Sequence, residues 1–374
     1  MSVEFCTRCV ISNRRPSSVV EFKNTGQDKH YIEFQNGVCS ACLYADMKES
    51  INWEDRELQL KELLDGHRSN NGYDCIVPGS GGKDSAFTAH ILKYKYGMNP
   101  LTVTWAPHLY TEIGWQNFQN WMHVGGLDNI LFTPNGKLHR KLTRLAFENL
   151  LHPFQPFIIG QRIIGPLMAK RFNVPLVIYG ENQAEYGNPV DQNASPRMDN
   201  KYFQGDEAFF GGVSEKEIAR EYGFTTNDFT PYRPIDASGV QVHYLGYYLK
   251  WDPQEMYYYA AENTGFETAD RTQGTYSKYS SLDDKIDPFH YYTTLIKFGL
   301  GRASYDAAQE VRNGKITRAE GVDLVRKYDA EFPSKYYMDF LDYIDITDQE
   351  FWEIIDRFRP SELWEGRALR HAVS

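Results

Sequence analysis

The apolar positions along this chain change period, and each change marks an element. "YDCIVPG" (73–79) is a short unbroken apolar run, as expected of a strand buried on both faces. "KDSAFTAHILKYKYG" (83–97) then spaces its apolar residues as a helix closed by Gly97. The alternation repeats three times: "NPLTVTWAP" strand and "IGWQNFQNWMHVGG" helix, "DNILFTP" strand and "GKLHRKLTRLAFENLL" helix, then the helix "IIGQRIIGPLMAKRFN" before the strand "VPLVIYGEN". Strands alternating with helices predict an α/β fold, a parallel sheet flanked by helices. Ligands of such sheets sit beyond the carboxyl ends of the strands. The 79–85 loop and Gly180-Glu181-Asn182 fall there.

Upstream, "KESINWEDRELQLKELLDGHR" (48–68) reads as a polar helix linking an N-terminal unit to the sheet. Downstream of residue 183 the rhythm breaks into a loop-rich stretch to 213, which is expected to border the site and is a candidate lid. "SEKEIAREYG" carries a capping box, Ser214 with Glu217. "VQVHYLGYYLKW" reads as a strand and most of the remainder as helices. The expected organisation is a zinc-ribbon-like unit over 1–50, a linker helix over 51–72, the α/β domain over 73–213, and a mostly helical region over 214–374 that completes the substrate site.

Composition is that of a globular chain, 41% hydrophobic and 24% charged over 374 residues. The net charge of −10 gives no general attraction to a polyanion, so neither a nucleic-acid partner nor a membrane is expected. The N-terminus lacks a signal-peptide pattern, and "PFIIGQRIIGPLMAKRF" is too short and too polar to span a bilayer. A cytoplasmic protein is expected. The 26 tyrosines read as packing against half-polar surfaces, although a sugar platform would use the same residues.

Four of the five cysteines form two Cys-x-x-Cys pairs, Cys6 with Cys9 and Cys39 with Cys42. Two intervening residues let a turn present both sulfurs to one tetrahedral ion. The 29 residues between the pairs include "SSVVEF" and "HYIEF", which predict a small hairpin. A structural zinc site is the expected reading and an iron–sulfur cluster the second. Cys75, within the first strand, reads as a core thiol.

"PGSGGKDSAF" carries the most specific chemistry. A Walker A loop requires G-x-x-x-x-G-K-[ST], but Val77 stands in place of its first glycine and Asp84 follows Lys83. Ser80-Gly81-Gly82-Lys83-Asp84-Ser85 instead resembles the PP-loop of the ATP pyrophosphatase superfamily, the adenine nucleotide alpha hydrolase-like fold. That resemblance implies cleavage of ATP between its α and β phosphates. Gly81 and Gly82 would admit phosphate oxygens close to the backbone, with Ser80 and Ser85 donating to them. Lys83 would neutralise the leaving pyrophosphate, and Asp84 would hold Mg²⁺. The second strand's end, Thr102 to Thr104, would contact adenine through backbone groups, with Gly180 beside the nucleotide. Glu181 would act with Lys83 and Asp84 in catalysis, and Asn182 would serve the substrate. Lys278, Lys297 and Arg302 are candidates for pyrophosphate contacts.

Taken whole, "CTRCV", "CSAC", "PGSGGKDS", "YGEN" and "LIKFGLGRASYDAAQEVRNGKITRAEGVDLVRKYD" resemble the N-acetyl sugar amidotransferase family of bacterial surface-glycan biosynthesis. The resemblance implies ATP-dependent conversion of a sugar N-acetyl group to an acetamidino group. It also implies an ammonia supply from a glutaminase subunit and a cyclase-like channelling subunit. The rival readings are a tRNA-thiolating PP-loop enzyme and a non-enzymatic docking module.

Overall fold

The computed structural model describes residues 2–16, 32–188, 195–198, 210–370 and 373. Much of the stretch between the cysteine pairs, and much of the 183–213 loop, lies outside them. The hairpin that is described is β1 (Phe34–Gln35) with β2 (Val38–Cys39), turning through Asn36 and Gly37. It thus lies C-terminal to most of the expected hairpin. Helix α1 (Ser40–Glu49) follows at once and contains Cys42, an element the spacing of the cysteines did not reveal. Helix α2 (Trp53–Asp65), capped by Asn52, is the linker helix.

Then come β3 (Cys75–Pro78), α3 (Lys83–Tyr94), β4 (Pro100–Trp105), α4 (Glu112–His123), β5 (Asp128–Phe132), α5 (Gly136–Leu150), α6 (Gln155–Phe172) and β6 (Leu176–Tyr179). After the short α7 (Glu215–Tyr222), β7 (Gln241–Tyr244) joins the same sheet beside β6. All neighbours are parallel, in the order β5-β4-β3-β6-β7. The sheet therefore draws one strand from beyond residue 213.

The order reverses between β3 and β6, so the connections leaving these two adjacent strands diverge to opposite sides. A crevice opens at such a switch point. Strand alternation divides the core: Ile76 and Val177 face one layer, while Cys75, Val77, Leu176 and Ile178 face the other. Helix α6 lies close on the first layer because Gly160 has no side chain; a Cβ there would stand 2.1 Å from the Trp105 ring.

The C-terminal part is helical: α8 (Leu245–Tyr248), α9 (Pro253–Thr264), α10 (Asp287–Phe298), α11 (Arg302–Arg312), α12 (Arg318–Tyr328), α13 (Tyr337–Ile344) and α14 (Asp348–Arg357), then the pair β8 (Trp364–Glu365) and β9 (Ala368–Leu369). Aromatic contacts join it to the α/β layer, with Phe147 5.5 Å from Phe351 and 5.2 Å from Phe340 between ring centroids. Among the described residues no helix is long and apolar enough to cross a membrane.

Candidate functional site

The loop after β3 is shaped by what its glycines avoid. A Cβ on Gly79 would meet Ser85 Cβ at 2.2 Å. Gly81 has φ +85°, and a Cβ there would approach the Phe118 Cα to 2.8 Å. Both the backbone conformation and the space demand glycine. Ser85 closes the loop by accepting the Gly81 N–H at 3.2 Å and donating to the Gly82 carbonyl at 3.0 Å. Gly82 is the N-cap residue of α3, so the free N–H groups and positive dipole end of that helix open at the loop. Lys83 pairs with Asp84 Oδ2 at 2.5 Å, while the buried Asp84 Oδ1 has no hydrogen-bond partner among the described residues.

Beyond β6, Gly180 lets Trp251 and Thr88 approach to within 2.8 and 3.0 Å of where a Cβ would be. Glu181 follows and accepts a hydrogen bond from the Tyr186 hydroxyl. Burial, then the charge of Asp84, raises its carboxyl from 4.5 to about 7, opposed by Lys83. Asn182 instead points its oxygen to the Ala184 N–H at 2.8 Å, capping the 3-10 turn Gln183–Tyr186. It is buried and is not among the described residues that line the cavity, so its expected role at the substrate gains no support here.

The third wall comes from the segment before α10. Asp283 faces Ser80 across the cavity; burial, then Asp287, raises its carboxyl to about 6, with Ser80 opposing. Asp287 is also raised by burial, with the Arg302 charge opposing, and its Oδ2 has no hydrogen-bond partner among the described residues. Asp284 turns away to anchor His108, accepting from its backbone N–H at 2.8 Å and bonding its Nδ1 at 2.7 Å. Arg302 lies 3.1 Å from Asp306 and donates to the Tyr291 hydroxyl.

Ser80, Gly82, Lys83, Asp84, Glu181 and Arg302 thus border one cavity of about 380 Å³. Ser85 and Gly180 border its neighbour of about 340 Å³, reached past Asp84 and Glu181. Other expected residues stay outside both. Thr102 and Thr104 are fully buried, their hydroxyls receiving the Asn129 amide at 2.9 and 3.0 Å. Lys278 is exposed, and Lys297 donates to the Leu150 carbonyl at 3.2 Å. None of these four lines either cavity. Sequence reading missed Asp283, Asp287, Tyr186 and Asp306. The dense "SLDDKID" run ahead of a helix was the available signal for the first two. Tyr186 and Asp306 had none, because only the fold brings them in.

The four paired cysteines are buried, with all four sulfurs within 4.8 Å of one another. Cys6 to Cys42 is 3.8 Å and Cys9 to Cys39 is 3.6 Å. Four thiolates at about 2.3 Å from a tetrahedral ion would stand about 3.8 Å apart, so the set fits a structural metal ion. Arg318 Nε donates to the Cys6 and Cys9 carbonyls at 3.3 and 3.2 Å, fixing the knuckle to α12. Cys75 is fully buried, and burial pushes its thiol well up.

A glycine loop at a helix N-terminus facing a fan of carboxylates has the donors a phosphate-bearing ligand would need and the oxygens a cation would need. Comparison with known proteins adds a second fact. Residues 273–373 match the model of the family described as LPS biosynthesis protein WbpG-like, C-terminal domain. Over 82 residues the chain is 34% identical to an uncharacterized protein of Methanocaldococcus jannaschii, a match spanning 21% of this chain and 29% of that relative's length. The structure of NMN synthetase from Francisella tularensis aligns with 64% of this chain and 93% of its own, at 13% identity and a TM-score of 0.22.

Proposed function

We propose that this chain is the ATP-consuming synthetase of an N-acetyl sugar amidotransferase, acting in the cytoplasm on a precursor of a bacterial surface glycan. The observation that carries the reading is a convergence. The segment similar to an LPS biosynthesis domain supplies Asp283, Asp287 and Arg302 to the cavity that the Gly79–Ser85 loop opens into.

In this reading the triphosphate lies along the loop and the first turn of α3, with Lys83 at the β and γ phosphates. Asp84 and Glu181 would hold Mg²⁺, with Asp283 within the same cavity; the ion would offset charge on the departing pyrophosphate. An amide carbon is a poor electrophile and its oxygen a poor leaving group. Attack of that oxygen on the α-phosphorus breaks the α–β bridge and releases pyrophosphate, leaving an O-adenylyl imidate. Ammonia then adds to the activated carbon, AMP departs with the oxygen, and the amidine keeps a proton. The adenylylated species hydrolyses on contact with water, so the surrounding walls must exclude it. A glutaminase and a cyclase-like partner would deliver the ammonia, and the knuckle would hold zinc.

The buried, proton-retaining Cys75 gives no support to sulfur transfer. The test is product analysis with N-acetylated nucleotide sugars and ammonium. AMP and pyrophosphate in equal amounts, lost in Lys83→Ala, are expected. ADP and orthophosphate, or pyrophosphate release on tRNA alone, would overturn the assignment.

A further inference from the structure

A third cavity, of about 260 Å³, adjoins the first through Tyr186, Tyr291 and Arg302. We propose that it binds an oxyanion carried by the acceptor, with Arg15 as its principal ligand. Calling that molecule the acceptor rests on the function proposed above; the oxyanion site itself does not.

Arg15 is only 5% exposed, yet among the described residues its guanidinium makes no ion pair or side-chain hydrogen bond. It sits between two rings, 5.0 Å from the Tyr305 centroid and 5.5 Å from that of Tyr186. Cation–π contacts hold the flat faces of a guanidinium and leave its edge N–H donors for a ligand in the ring plane. Burying such a charge with no carboxylate is costly, and a site that receives an anion supplies the missing partner.

Arg162 of α6 and Arg302 of α11 also line this cavity, and among the described residues Asp306 is its one lining carboxylate. Asp306 is already engaged by Arg302 at 3.1 Å and by the Thr275 hydroxyl at 2.6 Å. The neighbouring loop cavity is the reverse: its carboxylates include Asp84, Glu181, Asp283 and Asp287, against Lys83, Arg302 and Lys315. The first cavity attracts a cation and repels an additional anion; the third does the opposite. An acidic acceptor placed across both would put its charged end on Arg15 and its neutral amide toward Glu181. Tyr186 joins the two ends, since its ring packs on Arg15 and its hydroxyl donates to Glu181.

The oxyanion is a carboxylate of an acidic sugar or the diphosphate of a nucleotide-linked one. Calorimetry on the full chain, saturated with magnesium and α,β-methylene-ATP to fill the loop, separates these sources. The probes are N-acetylglucosaminuronic acid, UDP-N-acetylglucosamine and neutral N-acetylglucosamine. One anionic probe should bind about tenfold or more tightly than the neutral sugar, and Arg15→Ala should abolish that advantage. Arg15→Gln, which keeps the stem between the rings, should do the same while affinity for the ATP analogue stays within about twofold. The idea falls if neither anion outbinds the neutral sugar, if Arg15→Gln leaves the preference intact, or if the ATP analogue displaces the anion. Because no turnover is needed, failure of the AMP-forming assay leaves this result standing, and the reverse also holds.

Discussion

If Glu181 holds the cation, then cation affinity must follow its ionisation. Its carboxyl is raised from 4.5 to about 7, by burial first and by Asp84 second. That displacement disfavours the charged form by roughly 3 kcal/mol. In the ligand-free chain the folded state retains this proton longer than the unfolded one, so its contribution to stability falls as pH rises from about 4.5 through about 7. For a cation that binds only the carboxylate, the available fraction is about a tenth at pH 6 and about nine tenths at pH 8. Apparent affinity should therefore rise about tenfold across that interval, with about a further twofold from Asp283, raised to about 6. Titration with Mn²⁺, followed by electron paramagnetic resonance in the absence of nucleotide, reads this directly. Glu181→Gln should weaken binding at pH 8 and flatten the dependence to about the twofold owed to Asp283. A wild-type affinity that does not change from pH 6 to pH 8 would refute the reasoning. So would a Glu181→Gln protein that keeps the tenfold rise.

Gly81→Ala forces a Cβ into a left-handed conformation, worth about 1–2 kcal/mol before the contact with Phe118 is counted. It should lose binding of α,β-methylene-ATP by calorimetry, whereas Gly82→Ala, whose Cβ would lie 3.6 Å from Ser80 Oγ, should fold normally. Lys48 and Glu185 form a buried pair at 2.8 Å, so Lys48→Met should cost about 3–5 kcal/mol in urea unfolding. The double replacement Lys48→Met with Glu185→Leu should cost much less, because no charge is left unpaired. Cys39→Ser should lower zinc content measured by mass spectrometry and reduce the thermal midpoint, while Cys75→Ala should leave nucleotide products unchanged.

How far the sequence carried the fold depended on whether the signal was local. Ile76, Val177 and their alternating neighbours mark strands because burial on both faces demands unbroken apolar runs. Gly81 and Gly82 followed by a helix start located the loop for the same kind of reason. β7 was recognisable as a strand, but nothing in Gln241–Tyr244 says that it pairs with β6 across a gap of some sixty residues. Asn182 shows the converse ambiguity. Its place at a strand end favoured a ligand role, yet an Asn ahead of a 3-10 turn serves equally well as a cap, and the cap is what the chain forms. Arg302 reached the cavity from the far end of the sequence because it opens a helix after Gly301, whereas Lys297, five residues earlier, faces the Leu150 carbonyl.

The cysteine knuckle, which four thiolates exclude from catalysis, still reaches the reactive end by packing. Helix α1 begins directly after Cys39 and contains Cys42, so an ion held by the sulfurs fixes its first turn. The Ser40 hydroxyl donates to the Gly187 carbonyl at 2.7 Å, and Lys48 near the other end of α1 clasps Glu185. Arg312, behind the sulfurs, donates to the Glu185 carbonyl at 3.1 Å. Three contacts from the knuckle side therefore pin the 183–187 turn, and that turn carries Tyr186 between Glu181 and Arg15. Arg15 itself follows Cys9 by six residues in the sequence. On the function proposed above, loss of an ion held by the sulfurs should loosen both walls of the acceptor path at once, a physical reason to keep a knuckle that touches no substrate.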